Sequence, residues 1–445
     1  MKEIQFFYKD SAGASEADIE RGCEQLDEYR RYFNEVAAKG ECVCGEASIN
    51  VAFDSEALTT VTALCDQLQN PKLKFVVVVG IGGSNLGTLA ICEALFGKMD
   101  AFVKEHNPKI LFVDTVDTAL LDDVGDILTE QVFDPEEVIV CMITKSGTTT
   151  ETVTNFEFLY HVLYKKFRDT IHERVVAITD LDSKLWSAAQ EKGFHCLEVP
   201  KAVGGRYSVF TNVGLFPLLV SHVDVHDLLS GAREMRDAAL GSDHKTNFAM
   251  VSAVITYLNH QKGFTINNNF FFNRNLEGVG KWYRQLMGES IGKKHDTGGQ
   301  EVYAGITPLV SIGTTDLHSM AQLYLGGPRD KFTNFVYSSR SQGKESERVM
   351  IPKKLALPGL VPDIAGKSFV DLMDAIYEGV KRAYANNGLP FMEIVLPQIN
   401  AYTLGQYMQF KMMEMMYLAK LLGVNAFDQP SVEEYKKETQ ALLKE

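Results

Sequence analysis

Residues Gly204 to Gly214 read Gly-Gly-Arg-Tyr-Ser-Val-Phe-Thr-Asn-Val-Gly. Paired glycines take turns closed to other residues and clear room for a ligand. Arg206 behind them is a planar, permanent cation, suited to a phosphate or an oxyanion. Two loops upstream carry hydroxyls and glycine. Gly80-Ile81-Gly82-Gly83-Ser84-Asn85-Leu86-Gly87 follows one apolar run, and Thr144-Lys145-Ser146-Gly147-Thr148-Thr149-Thr150-Glu151-Thr152 follows another. A helix start beyond a parallel strand offers free N–H groups and a positive dipole end to an anion. Neither loop has the dinucleotide Gly-x-Gly-x-x-Gly with its acidic ribose anchor, or the Gly-Lys-Ser/Thr of a nucleotide loop. Capping a helix uses one or two hydroxyls, so the surplus points to a monophosphate site. The net charge is −14. An anionic substrate therefore needs local positive charge, which Arg206 supplies. Lys145 either adds to it or is a solvated surface cation.

Glu289 lies between Gly288 and Ser290, at the expected end of a helix. A carboxylate held in a cleft can take a proton from a carbon beside a carbonyl. His318 stands in Ile312-Gly313-Thr314-Thr315-Asp316-Leu317-His318-Ser319, past a strand and near a helix start, and can exchange a proton near neutral pH. Ser431 and Glu434 have the spacing of a capping box, with Pro430 just outside. The terminal helix is expected to start at Val432, which puts Lys436 in its second turn. Gln429 lies just ahead, where its amide can reach a sugar. Singly, each has a plainer reading: a solvated carboxylate, a hydrogen-bonded structural histidine, a surface cation beside Lys437. His222 and His226 stand at i,i+4 with no accompanying metal motif. Cys42 and Cys44 lack the second pair that a zinc site needs.

Together, these segments resemble the glucose-6-phosphate isomerase (phosphoglucose isomerase) family in its shorter bacterial form. The motifs run in family order from Gly80 to Lys436: Gly-Ile-Gly-Gly-Ser-Asn-Leu-Gly, Thr-Lys-Ser-Gly-Thr-Thr-Thr-Glu-Thr, Gly-Gly-Arg-Tyr-Ser, Gly-Glu-Ser-Ile-Gly-Lys, the His318 segment, and Phe-Asp-Gln with Val-Glu-x-x-Lys. The resemblance implies two sugar-isomerase-type α/β/α domains with mainly parallel central sheets. It also implies a mechanism without metal or other cofactor, and a homodimer in which the His318 segment completes the partner's site. By position, Ser84, Thr144, Ser146 and Thr149 form the phosphate cradle, and Gly83, Lys145, Gly205 and Gln429 also contact substrate. Arg206 stabilises the enediolate, Glu289 moves the proton, and His318, assisted by Lys436, opens the ring. The chain departs from the family pattern at Ser431, where glycine is usual. Leu317 and Gly147 also replace residues found in longer members, so contacts around the catalytic groups are expected to differ.

The implied reaction interconverts glucose 6-phosphate and fructose 6-phosphate through a cis-enediol(ate), a step of glycolysis and gluconeogenesis. Two other readings fit the anion loops alone. An amidotransferase-coupled synthase of glucosamine 6-phosphate would need a glutamine-hydrolysing domain with an N-terminal cysteine, whereas the chain starts Met1-Lys2-Glu3. A sugar-phosphate sensor would have no use for Glu289, His318 and Lys436 together.

Elements must bring these residues to bear. Phe75–Val79, Ile110–Val113, Val138–Ile143 and Val175–Thr179 read as strands alternating with helices, the pattern of a parallel sheet covered on both faces. Leu309–Ile312, Phe332–Tyr337 and residues near Met392–Leu396 read as strands of a second α/β domain. Residues 1–69 read as an N-terminal helical segment, 70–231 and 232–423 as the two domains, and 424–445 as a helical arm. Gly405 to Leu422 is expected to be a helix ended by Gly423, its methionines 408, 412, 415 and 416 an adaptable core. The 445 residues are 45% hydrophobic, ample for two cores. The acidic balance argues against nucleic acid and anionic membrane as partners. No apolar run reaches spanning length, and Met1 to Glu20 lacks a signal-peptide pattern. Seven scattered cysteines suggest free thiols and a cytoplasmic protein.

Overall fold

The apolar runs around Val77, Val140 and Val176 lie side by side in one sheet. The computed structural model of the chain describes residues 3–103, 106–338 and 349–444. In chain order its strands are β1 (Gln5–Phe7), β2 (Phe75–Val79), β3 (Lys109–Val113), β4 (Val138–Ile143), β5 (Val175–Thr179), β6 (His195–Glu198), β7 (Ile266–Phe271), β8 (Lys293–His295), β9 (Glu301–Ala304), β10 (Thr307–Ile312), β11 (Lys331–Tyr337) and β12 (Phe391–Val395). The chain divides into a middle unit, Tyr32–Arg233, and a terminal unit, Met1–Arg31 with Glu234–Glu445. The segment read from sequence as one helical piece, 1–69, is thus shared between the two. No helix among the described residues is long and apolar enough to cross a membrane.

The middle unit holds an all-parallel sheet in the order β3-β2-β4-β5-β6. β2, β4 and β5 are buried at every residue. Helices cover both faces of such strands, which is why they read as unbroken apolar runs. Val77, Val79, Val140 and Met142 pack with Leu128, Phe156, Leu159 and Leu163. Each buried aliphatic side chain of this size contributes roughly 1.5–3 kcal/mol. From β2 the chain steps to β3 on one side and returns to β4 on the other. The strand order therefore reverses between β2 and β4, where ligands of open α/β sheets sit.

The terminal unit has the order β1-β12-β11-β7-β10, parallel except for β1, which runs antiparallel to β12. Two strands of this sheet escape the sequence reading, as does the separate two-stranded pair β8-β9. β1 has three residues, in a stretch read as helical. β7 is Ile-Asn-Asn-Asn-Phe-Phe, central and buried, yet half polar. The side-chain oxygens of Asn267 and Asn268 and the amide of Asn269 find partners within the sheet, while Asn267 Nδ2 and Asn268 Nδ2 have none among the described residues. Asn334 Nδ2 donates to Asn267 Oδ1 at 3.1 Å, Asn269 Nδ2 donates to the same oxygen at 2.8 Å, and Ser311 Oγ donates to Asn268 Oδ1 at 2.8 Å. An aromatic layer of Phe270, Phe272, Phe335, Tyr377 and Phe391 packs beside them.

The helix Ala401–Leu422 is the spine of this unit. Asn400 and Thr403 cap its start reciprocally, and Gly423 at φ 70° returns its N–H to Ala419 and Lys420. Its five methionines, 408, 412, 413, 415 and 416, are core. Lys411 and Glu414 on the same helix are inaccessible to solvent and 3.0 Å apart. Glu414 also accepts from the Tyr283 hydroxyl at 3.0 Å and from Ser252 Oγ. The Lys411 ammonium sits over the rings of Phe410 and Tyr283. Burial pushes the Lys411 ammonium below its ordinary range, against the pull of Glu414. Burial and the Glu414 charge push the Tyr283 hydroxyl well up.

The capping box expected at Ser431 is not formed. Ser431 already has helical dihedrals and its side chain takes no capping bond. The first free N–H groups of Val432–Leu442 are met by backbone instead, Val432 N donating to Gln429 O and Glu433 N to Pro430 O, each at 3.2 Å.

Candidate active site

In the middle unit, the anion-loop residues gather at the carboxyl ends of β2, β4 and β6. Gly82–Ser84 is a single tight turn directly after β2, with Gly82 at φ 61°. Gly205–Tyr207 forms a similar turn. The two turns touch at their glycines: a Cβ added to Gly83 would stand 2.1 Å from the carbonyl carbon of Gly205. Ser208 Oγ bridges them, donating to Gly205 O at 2.7 Å and lying 3.3 Å from Gly83 O. Arg206 is 2% exposed, its guanidinium over the Tyr207 ring.

The loop after β4 closes on itself. Thr144 Oγ1 and Thr149 Oγ1 are 2.8 Å apart. One hydroxyl donates to the other, which leaves the pair one proton to give a ligand. Thr149 precedes the helix Thr150–Phe167 and makes no side-chain cap bond, so the first-turn N–H groups keep their donors for an anion. Ser146 Oγ accepts from Thr148 N at 3.3 Å and is exposed. The Ser84 hydroxyl makes no hydrogen bond among the described residues.

Lys145 is half-buried and engaged by backbone carbonyls. Its ammonium donates to Lys201 O at 2.6 Å and Val203 O at 3.0 Å. It ties the β4 loop to the segment leading into Gly204 and Arg206. Burial lowers its affinity for the proton, with Asp180 opposing and Lys201 adding to the effect.

In the terminal unit, Glu289 sits in the last turn of the helix Glu277–Ile291. Its Oε1 accepts from Gln285 Nε2, one turn back, at 2.9 Å. Gly292 ends the helix, its N–H on Gly288 O, and a Cβ there would strike that oxygen at 2.5 Å. His318 lies on the short helix Thr315–Ser319 beyond β10 and is exposed. Asp316 holds that turn, accepting from Ile312 N at 2.7 Å and Ser319 Oγ at 2.8 Å. Gln429 is exposed just ahead of the last helix. Lys436 is ion-paired with Glu433 at 2.8 Å. Among the described residues no hydrogen bond or ion pair joins His318 to Lys436 or to Glu289.

Three contributors escape the sequence reading. Gln285 stands one helical turn before Glu289, a spacing that offered a signal. Lys293 closes the quoted Gly-Glu-Ser-Ile-Gly-Lys motif, and Asp428 precedes Gln429. Their roles depend on folding that joins distant segments.

Two mainly parallel sheets flanked by helices, the first with glycine- and hydroxyl-rich turns at its strand ends, define an α/β fold of the sugar-isomerase type. The family model of phosphoglucose isomerase matches residues 66–445. A glucose-6-phosphate isomerase of Carboxydothermus hydrogenoformans is 35% identical over 84% of this chain and 79% of its own. One from Shouchella clausii is 31% identical over 100% and 96%. The crystal structure of a hypothetical protein from Thermus thermophilus superposes with a TM-score of 0.86 at 28% identity, covering 99% of both chains. A glucose-6-phosphate isomerase from Chlamydia trachomatis shares the fold, with a TM-score of 0.79 at 20% identity over 100% of this chain and 89% of that one. This chain belongs to the phosphoglucose isomerase family.

Proposed function

We propose that the chain interconverts D-glucose 6-phosphate and D-fructose 6-phosphate. The observation that carries this reading is the family match over 66–445, a span that contains every residue assigned a role from the sequence. The reaction is redox-neutral and moves protons only. His318, assisted by Lys436, opens the ring by proton transfer at the ring oxygen and the anomeric hydroxyl. Glu289 takes the proton from C2 and returns it at C1 through a cis-enediol(ate). Gln285 orients its carboxylate. Acid–base help of this kind gives about 10²–10⁴-fold per group. Arg206, unable to lose its charge, stabilises the developing oxyanion. Ser84, Thr144, Ser146 and Thr149, with the backbone of Gly83, Lys145 and Gly205, hold the phosphate, and Gln429 holds a sugar hydroxyl. The phosphate does not react; its binding energy aligns the carbons.

We further propose a homodimer in which the His318 segment of each chain completes the site of the other; the exposure of His318 in the single chain supports this. A cytoplasmic location goes with the free state of the seven cysteines, which a reducing compartment maintains. The test is direct. Purified chain given fructose 6-phosphate should form glucose 6-phosphate, read by a coupled dehydrogenase. Binding without turnover would overturn the enzyme reading and favour a sensor.

A further inference from the structure

We propose that Lys293 is a positioning residue for the isomerisation, locking the end of the Glu289 helix to the loop that carries Gln429. The proposal rests on the functional reading above and goes beyond it, since Lys293 touches no reacting atom.

The argument starts from the helix end. The last four carbonyls of any α-helix lack intrahelical partners and carry its negative dipole end. In Glu277–Ile291, Gly288 O is taken by Gly292 N. Glu289 O is taken by Lys293 Nζ at 2.8 Å. The same ammonium lies 2.9 Å from Asp428 Oδ1 and donates to Asp428 O. Its side chain is 5% exposed. A buried ammonium is costly unless its donors are met, and lysine has three. Here three acceptors come from two segments far apart in sequence. One is the backbone of the proposed base, and the other two belong to the neighbour of the proposed sugar ligand Gln429. Lys293 also opens β8, whose pairing with β9 fixes the backbone from which its side chain starts. One cation therefore sets the distance between two groups that must address the same sugar. Displacing a catalytic group by about 1 Å can cost on the order of a hundredfold in rate.

The test compares the parent chain with Lys293→Met and Asp428→Asn. The asparagine variant keeps the two oxygens that face Lys293 and removes the charge, together with the exposed bond that Oδ2 accepts from Asn425 Nδ2 at 3.3 Å; at a half-exposed position it is the milder change and folds even if the methionine variant does not. Amide exchange in segments 286–292 and 425–430 is measured with kcat, KM and the binding of sorbitol 6-phosphate. Lys293→Met should speed exchange in both segments together. It should lower kcat at least tenfold while KM and sorbitol 6-phosphate binding stay within about threefold of the parent, because the phosphate loops lie in the other unit. Asp428→Asn should shift the same quantities in the same sense, less far. Unchanged exchange in both variants, or kcat within twofold of the parent despite faster exchange, would overturn the proposal. Equal loss of kcat and analogue binding would also overturn it and show a general structural role. A parent chain inactive on fructose 6-phosphate would sink the functional reading itself, and that failure is visible before any substitution.

Discussion

Gly83 and Gly205, from loops after different strands, meet so closely that neither turn keeps its shape if Gly83 gains a side chain. The added Cβ would lie 2.1 Å from the Gly205 carbonyl carbon and 2.3 Å from its oxygen. Backbone, unlike a long side chain, has no free end to swing aside. Gly83→Ala should therefore destabilise the chain by about 1–3 kcal/mol and lower kcat/KM roughly a hundredfold by shifting the Arg206 turn. Urea unfolding and steady-state kinetics check both, and parental kinetics would show that this contact does not shape the site.

Glu289→Gln keeps the side chain's shape and removes the carboxylate proposed as the base. Turnover should fall about a hundredfold or more while sugar-phosphate binding is retained. A mixture then tests the dimer. If His318 acts on the other chain's site, combining Glu289→Gln with His318→Ala gives hybrid dimers with one complete site. Refolding the two variants together should recover about a quarter of parental activity, as random pairing predicts. Recovery of none would place His318 and Glu289 of one chain in the same site.

Lys145 carries a pH signature. Burial lowers its folded pKa below the ordinary lysine value. Between the folded and unfolded pKa values the unfolded chain binds more protons, so stability rises with pH through that window. Measured against Lys145→Met, which cancels the other titrations, the parent should gain unfolding free energy from neutral pH up to the ordinary lysine value of about 10.4. A relative loss would contradict the burial. Within that window the variant should also lose kcat more than KM, because the ammonium holds the approach to Arg206 by Lys201 O and Val203 O.

Glu414→Ala would strand the Lys411 ammonium in a dry core. Removing one partner of a buried pair costs about 3–5 kcal/mol, read by urea unfolding. The double variant Lys411→Met, Glu414→Leu should lose far less. Equal losses in the two would mean that lost packing, not the uncompensated charge, sets the cost.

Much of the middle unit is legible in the sequence because its central strands are buried on both faces. Phe75–Val79, Val138–Ile143 and Val175–Thr179 need no context to read as strands. The terminal unit is less legible. Asn267, Asn268 and Asn269 break the apolar signal of β7, and the partners that offset part of their burial, Asn334 and Ser311, lie far along the sequence. β1 needs β12, which lies near the other end of the chain. The groups proposed to react announce themselves as motifs. The contacts that place them, Lys145 on Val203 and Lys293 on Asp428, join residues whose separation in sequence gives no periodic signal.

The antiparallel pairing of Gln5–Phe7 with Glu393–Val395 has a consequence for synthesis. The first of the described strands to be made waits for the last of them, while Tyr32–Arg233 emerges whole in between and can fold as a unit. Closing a loop of nearly full chain length slows folding more than it weakens the finished sheet. A nascent chain stalled before Phe391 thus holds its amino-terminal strand unclaimed, an exposed edge for chaperones to guard.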